Sequence, residues 1–216
     1  MAAKNLSQML NDHVDWLNQV GGEQFTLSDK DLSWLTLSEL NMSRSIMIGV
    51  NFESSDLSST NFYKADLTES TFKKGILSKA NFREANLTAC DFRSASLKGV
   101  NFRDSILDGS IFYGADLSEA DFQGASLMGV SFQGAKLFGA SIAEGWVLTG
   151  RYYQINKPGY DDGFVEIYET LRGWYIRTAE FEGDVRQFSM FIRRKYGQSD
   201  LEKRYQNLVD AICKDE

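Results

Sequence analysis

The chain has 216 residues, a formal net charge of −7 at pH 7, 43% hydrophobic residues and 25% charged residues. These are the proportions of a soluble globular chain, long enough for one domain with an appended subdomain; one proline and 18 glycines exclude a collagen-like or disordered chain, and the apolar runs are too short to span a bilayer. Net charges of −2, −4 and −1 over residues 1–24, 25–150 and 151–216 exclude the basic face that direct nucleic-acid binding requires.

In chain order, residues 4–20 predict an amphipathic helix. Leu6, Leu10, His13 and Leu17 share one face, flanked by Met9, Trp16 and Val20, and Gly21-Gly22 terminate it. Residues 1–24 are therefore expected to form an N-terminal capping helix. The N-terminal Met-Ala-Ala-Lys-Asn lacks a signal peptide's apolar stretch, and cytoplasmic residence is expected.

Residues 25–150 repeat with a period of five. From Phe52 to Leu137, 18 consecutive fifth positions alternate strictly between Phe and Leu. The position two residues earlier is small, as at Ser55, Ala65, Ala80, Cys90, Ala115 and Ala135. Weaker matches extend the frame to Leu27 and Val147, giving 25 pentapeptides without an insertion. A period of five fits neither a helix nor a simple strand, but fits a chain that turns a corner every five residues. The large and small residues then point inward. The remaining positions, rich in Asn, Asp, Ser, Thr, Lys, Arg and Gly, point outward, and successive coils stack at about 4.8 Å.

The segments Ala65-Asp66-Leu67-Thr68-Glu69, Ala80-Asn81-Phe82-Arg83-Glu84 and Ala115-Asp116-Leu117-Ser118-Glu119 carry the pattern A(D/N)LXX. The chain resembles the pentapeptide-repeat family over about 125 of its 216 residues. That resemblance implies a mainly β fold, a right-handed quadrilateral parallel β-helix of about six coils. In such a coil Phe52, Phe72, Phe92, Phe112 and Phe132 stack in one column of the core. Leu67, Leu87 and Leu107 stack in another.

Beyond the repeats, residues 151–216 predict a C-terminal α-helical subdomain. Gly150 to Gly163 read as a loop, with Pro158-Gly159 as its turn. Three helical stretches are expected after it. The first carries Phe164, Ile167, Tyr168, Leu171, Trp174 and Tyr175; the second Val185, Phe188, Phe191 and Ile192; the third Leu201, Tyr205, Leu208, Val209 and Ile212.

Candidate chemistry is sparse. His13, the single histidine, has no Ser or Cys partner and reads as a satisfied cap residue. Cys90 takes a small inward position, and Cys213 lies too far from it in sequence to suggest a disulfide framework or a paired-cysteine metal site. No phosphate-binding loop occurs, so the chain is expected to have no catalytic residue, metal site or cofactor.

The candidate partner-binding residues are Asp66, Glu69 and Asp108, on one Leu side that lacks Lys and Arg from Ile46 to Met128 and also shows Ile46, Ile48, Ile106 and Met128. The Phe side through Phe62, Phe82 and Phe102 carries Arg44, Lys64, Arg83 and Arg103 instead. The basic trio Arg193, Arg194 and Lys195 is a further candidate. The expected function is a non-enzymatic scaffold for a protein partner, with a second copy of the chain admitted as that partner. The family resemblance offers an alternative, a DNA mimic that binds DNA gyrase or topoisomerase and protects it from quinolones or toxins.

Overall fold

The computed structural model describes residues 5–143, 146–156, 164–178, 180–197 and 199–212. The chain divides into two units, residues 1–144 and 145–216.

The first unit opens with helix α1, Leu6–Leu17. Its start is set by reciprocal capping: Asn5 Oδ1 accepts the Gln8 amide and Gln8 Oε1 accepts the Asn5 amide. Gly22 is required where the chain leaves the helix, at φ +72°, because a Cβ there would lie 2.0 Å from the Asp12 carbonyl oxygen.

His13 is the one fully buried side chain of α1. Its Nδ1 accepts the Phe25 amide at 3.0 Å, so Nε2 carries the proton and donates to the Ser43 carbonyl, also at 3.0 Å. The ring stacks on Trp16, with centroids 5.6 Å apart. The expected cap histidine is thus a fixed neutral tautomer joining α1 to the first turns of the repeat.

Strands β1 (Thr26–Ser28) and β2 (Ile46–Ile48) pair in parallel with a twenty-residue offset. The same offset continues through single bridges from Asp31↔Asn51 to Asp121↔Ser141, the last within β3, Ser141–Ala143. Each coil therefore spends twenty residues, four pentapeptides, before lying on itself. Backbone bonds such as Phe52 N–H to Thr71 O (2.8 Å) and Thr71 N–H to Val50 O (3.0 Å) join the coils.

Every fifth residue closes a tight turn, as where the Ser55 amide donates to the Phe52 carbonyl at 3.1 Å. The residue before the donor takes positive φ, as at Ser54 (59°), Lys64 (57°) and Glu84 (57°). This is the requirement of a type II turn.

Asp or Asn ahead of the large residue serves the turn directly. Its Oδ1 accepts the amide two residues on: Asp56 from Ser58 at 3.0 Å, Asn81 from Arg83 at 3.1 Å, Asp116 from Ser118 at 3.1 Å. Such side chains mimic a backbone turn, which explains why the repeat prefers them there.

The core is the predicted double column. Phe52, Phe72, Phe92, Phe112 and Phe132 stack at 5.1, 4.8, 4.7 and 5.3 Å between centroids. The other Phe column meets it edge-on, as Phe92 with Phe102 at 5.9 Å. Leu67, Leu87 and Leu107 are fully buried. Burying each ring contributes roughly 1.5–3 kcal/mol, and each aromatic contact about 0.5–1.5 kcal/mol more.

Small hydroxyls inside the core are satisfied within a turn, as Ser45 and Ser105 by the Met42 and Phe102 carbonyls, or across coils. Ser55, Thr60, Ser70 and Ser110 donate to the Leu32, Leu37, Met47 and Leu87 carbonyls at 2.7–2.8 Å.

The second unit is not the expected three-helix subdomain. It holds β4 (Trp146–Asn156), β5 (Phe164–Thr170), β6 (Gly173–Thr178) and β7 (Glu182–Asp184), paired antiparallel in that order. Helices α2 (Val185–Tyr196) and α3 (Asp200–Ile212) come after them.

Residues 164–175, expected as a helix, instead form the β5–β6 hairpin. Leu171, placed by helical spacing on the apolar face, is 75% exposed in the turn. Thr170 Oγ1 donates to the Gly173 carbonyl at 2.6 Å and accepts the Arg172 amide at 3.2 Å, which closes that turn. Val165, Ile167, Trp174 and Ile176 pack on Phe188, Ile192, Tyr205 and Val209. The true period in this stretch is two, carried by β-branched and aromatic residues that favour a pleated surface.

The predicted loop at 150–163 is likewise strand through Asn156; its Pro158-Gly159 turn lies outside the described residues. The second and third helical stretches form as expected. Asp184 and Gln187 cap α2 reciprocally.

Phe92→Ala removes one ring from a closed stack, and urea unfolding of the variant is expected to show a loss of about 3–5 kcal/mol. Ala115→Leu overfills the same interior, with an expected cost of about 1–3 kcal/mol.

Burial lowers the His13 pKa below its ordinary value, opposed in part by the bond to Ser43. The unfolded chain therefore binds this proton more tightly. The stabilisation is complete above about pH 6.5, the unfolded value, and declines as pH falls through the window below it. The protection factor of the Phe25 amide is expected to fall between pH 7.5 and pH 5.5, and His13→Gln to remove that pH dependence.

Candidate interaction surface

Outward residues of the repeat fall into two groups, those the turns use and those left over. Asp66 belongs to the first: its Oδ1 accepts the Thr68 amide at 3.1 Å and the Thr68 hydroxyl at 2.6 Å. Asp108 does too, in a different way. Its Oδ1 accepts the Ser126 hydroxyl at 2.6 Å and the Met128 amide at 2.9 Å, tying one coil to the next. Of the three predicted acids only Glu69, exposed at a turn with φ +61°, is not held in such a bond among those described.

The basic side is likewise occupied. Lys64 pairs with Glu84 at 3.2 Å, Arg83 with Asp104 at 3.4 Å and Arg103 with Asp121 at 3.1 Å. On other sides Lys74 pairs with Glu53 at 3.1 Å, Lys98 with Glu119 at 3.3 Å and Lys136 with Asp116 at 3.7 Å. Exposed pairs of this kind contribute about 0–1 kcal/mol each, but they interleave the signs and shorten the reach of any one-signed field. Hydrogen bonds from the Ser58 hydroxyl and amide hold Asp56 below the usual carboxylate range, and those from Ser118 do the same for Asp116.

What is left over is apolar: Trp34, Ile76 and Phe138 are exposed elsewhere on the repeat, and Ile106, Ile111 and Met128 lie about one corner. Ile106 and Ile111 are exposed on successive sides of one coil, either side of Asp108-Gly109. Met128 stands on the same corner in the next coil, and Tyr113 lies in the following turn, between Phe112 and Ala115; these two are 53% and 54% exposed. The corner residues between them are Gly109 and Gly129, at φ +72° and +68°. A Cβ at Gly109 would meet nothing within 4 Å, so glycine meets the turn's demand and leaves the corner bare for a close approach.

Ile106 and Met128 belong to the side picked out from the sequence. Ile111 and Tyr113 do not; their signal was a pair of apolar residues at neighbouring outward positions.

In the second unit the trio Arg193, Arg194 and Lys195 is exposed but does not act as one cluster. Arg193 reaches Glu202 of α3 at 3.7 Å. Lys195 pairs with Glu180 and lies 5.0 Å from the Tyr196 ring centroid. Arg194 has no ion pair among the described residues.

Groups that could do chemistry are sequestered. Both His13 ring nitrogens are bonded. Cys90 is buried, donates to the Leu67 carbonyl at 3.1 Å, and has its thiol pKa pushed far up by burial. Cys213 lies outside the described residues. Among the described residues no group of three or more His, Cys, Asp or Glu could hold a metal ion, and no helix is long and apolar enough to cross a membrane.

The pentapeptide repeat region family matches residues 45–122, and an eight-copy pentapeptide repeats family matches residues 105–142. No curated protein matches the chain. Among solved structures, a pentapeptide repeat protein from the thylakoid lumen of Arabidopsis thaliana is 31% identical, over 47% of this chain and 68% of that one, with a TM-score of 0.36. QnrB1, a plasmid-mediated fluoroquinolone resistance protein, is 17% identical over 59% and 77% of the two chains, with a TM-score of 0.44. HetL, a pentapeptide repeat protein involved in heterocyst differentiation regulation in the cyanobacterium Nostoc, is 23% identical over 58% and 81%, with a TM-score of 0.23. With an unbroken five-residue repeat, a twenty-residue coil offset and these family matches, the chain belongs to the pentapeptide repeat family.

Proposed function

We propose that residues 25–150 form a right-handed quadrilateral β-helix of about six coils that acts, without catalysis, as a cytoplasmic scaffold for a protein partner. The observation that carries this reading is the exposed corner of Ile106, Ile111 and Met128, with Tyr113 in the turn that follows it. Elsewhere the repeat's outward Asp and Asn cap turns and its charges pair. Here Ile106, Ile111 and Met128 are 45%, 39% and 53% exposed beside Gly109 and Gly129, and Tyr113 is 54% exposed in the next turn. Exposed apolar clusters rimmed by polar residues mark interaction sites, and a rigid solenoid loses little conformational entropy on binding.

The alternative reading, a DNA mimic bound by gyrase, needs a continuous run of free carboxylates. Along the repeat the acids are instead interleaved with bases, as in Lys64–Glu84, Arg83–Asp104, Lys98–Glu119 and Arg103–Asp121, which favours the apolar corner over an acidic side.

Ile106→Lys and Tyr113→Lys alter exposed side chains and are expected to leave stability within about 0.5 kcal/mol. Cross-linked complexes recovered with the wild-type protein should be absent with either variant. Light scattering on the same samples reports whether the partner is a second copy of the chain. Recovery of the same complexes with both variants would remove the corner from consideration. In a gyrase supercoiling reaction the purified protein is expected to change neither the rate nor the effect of a quinolone at micromolar concentration; protection there would put the DNA mimic first.

A further inference from the structure

Helix α2 carries four bases, Arg186, Arg193, Arg194 and Lys195, and no acid within its twelve residues. Its two faces differ sharply. Phe188 and Ile192 are buried against β5, β6 and α3. Arg186, Met190, Arg193 and Arg194 are exposed, at spacings of four, three and four that bring them onto one outward stripe. Met190 sits in the middle of that stripe and is 65% exposed. Arg193 has its side chain 83% exposed and only a loose 3.7 Å approach to Glu202.

We infer that this stripe binds an acidic helical segment of a protein partner. Three of the four bases are arginines, whose planar fork takes a carboxylate through two parallel hydrogen bonds. Arg186 and Arg194 are eight residues apart, about 12 Å along a helix. A facing helix with carboxylates seven or eight residues apart matches that separation. Its intervening residues, one turn from each carboxylate, meet Met190, an adaptable apolar side chain suited to a partner surface.

The same features disfavour other anions. A membrane surface would need an apolar face to insert, but the apolar face of α2 is the unit's own core and Met190 alone remains outside it. A nucleic acid would meet a chain of net charge −7 with Glu182, Asp184, Asp200 and Glu202 flanking the stripe, whereas a short acidic helix can dock between them. The inference rests on the scaffold reading but uses residues of the other unit, so a variant at the Ile106 corner leaves it intact.

The test uses the full chain and a fluorescein-labelled helical peptide of Ala, Glu and Leu, with Glu seven residues apart and Leu between. Fluorescence anisotropy at low salt should show saturable binding. Arg186→Glu with Arg194→Glu should weaken it by roughly tenfold or more, and Met190→Ala should weaken it without changing the salt dependence. Lys79→Glu with Lys98→Glu, the same charge change on the β-helix, should leave it unaltered. A neutral pair, Arg186→Gln with Arg194→Gln, guards against misfolding and should fall between. Failure of the wild-type protein to bind the peptide would overturn the inference. So would equal losses in the α2 and β-helix variants, or preferential binding of a DNA duplex or of phosphatidylserine vesicles.

Discussion

A backbone that turns every five residues must place one residue in five at positive φ and must satisfy the amides exposed at each corner. Most of what is seen in residues 25–143 stems from that constraint. Non-glycine residues such as Lys64, Glu84 and Ala89 sit at φ +57°, a conformation that costs an L-residue roughly 1–2 kcal/mol. The structure tolerates it because each coil is over-determined: backbone bonds hold it to its neighbours, an Asp or Asn closes its turn from outside, and a ring or Leu fills it from inside. Ser55 and Ser110 show how completely the interior is accounted for, since even the small hydroxyls bridge coils.

The same constraint decides where function can reside. Outward carboxylates look available in the sequence, yet the turn has first claim on them. Asp66 and Asp108 are the clearest cases: the Oδ1 of one closes its own turn and that of the other holds the next coil, a service Asn performs equally at Asn81. An apolar side chain at the same kind of position does no such work. Ile106, Ile111, Tyr113 and Met128 are therefore more informative about binding than any of the acids: they bear the cost of exposure without serving the coil.

The repeat was legible because its signal is redundant. Eighteen alternating Phe and Leu positions specify the inward column, and the Phe rings stack accordingly at 4.7–5.3 Å. His13 was legible too, as a polar group on an apolar helix face that must find partners. The stretch from Phe164 to Tyr175 was not. Its apolar residues fit spacings of three and four as well as of two, and only Val165, Ile167, Thr170 and Ile176, β-branched residues around a two-residue turn, argued for strands. The bonds made by Asp66 and Asp108 were not legible for a different reason: they run to residues two, eighteen and twenty positions on, and no property of the acid itself reveals them.

The two proposed surfaces differ in physics, and this bears on how a partner would be held. The corner of the β-helix is apolar, glycine-edged and carried on a rigid lattice, so contacts there slow dissociation with little loss of entropy. The outer face of α2 is charged and long-armed; such groups mainly accelerate encounter and select sign, and their effect fades with salt. Most of the charge in residues 25–143 is neutralised locally by pairs such as Lys64–Glu84 and Arg103–Asp121, whereas on α2 Arg186 and Arg194 have no ion pair among the described residues. Salt dependence in binding by this protein is therefore a property to be sought in α2, and salt-resistant affinity a property of the corner at Gly109 and Gly129.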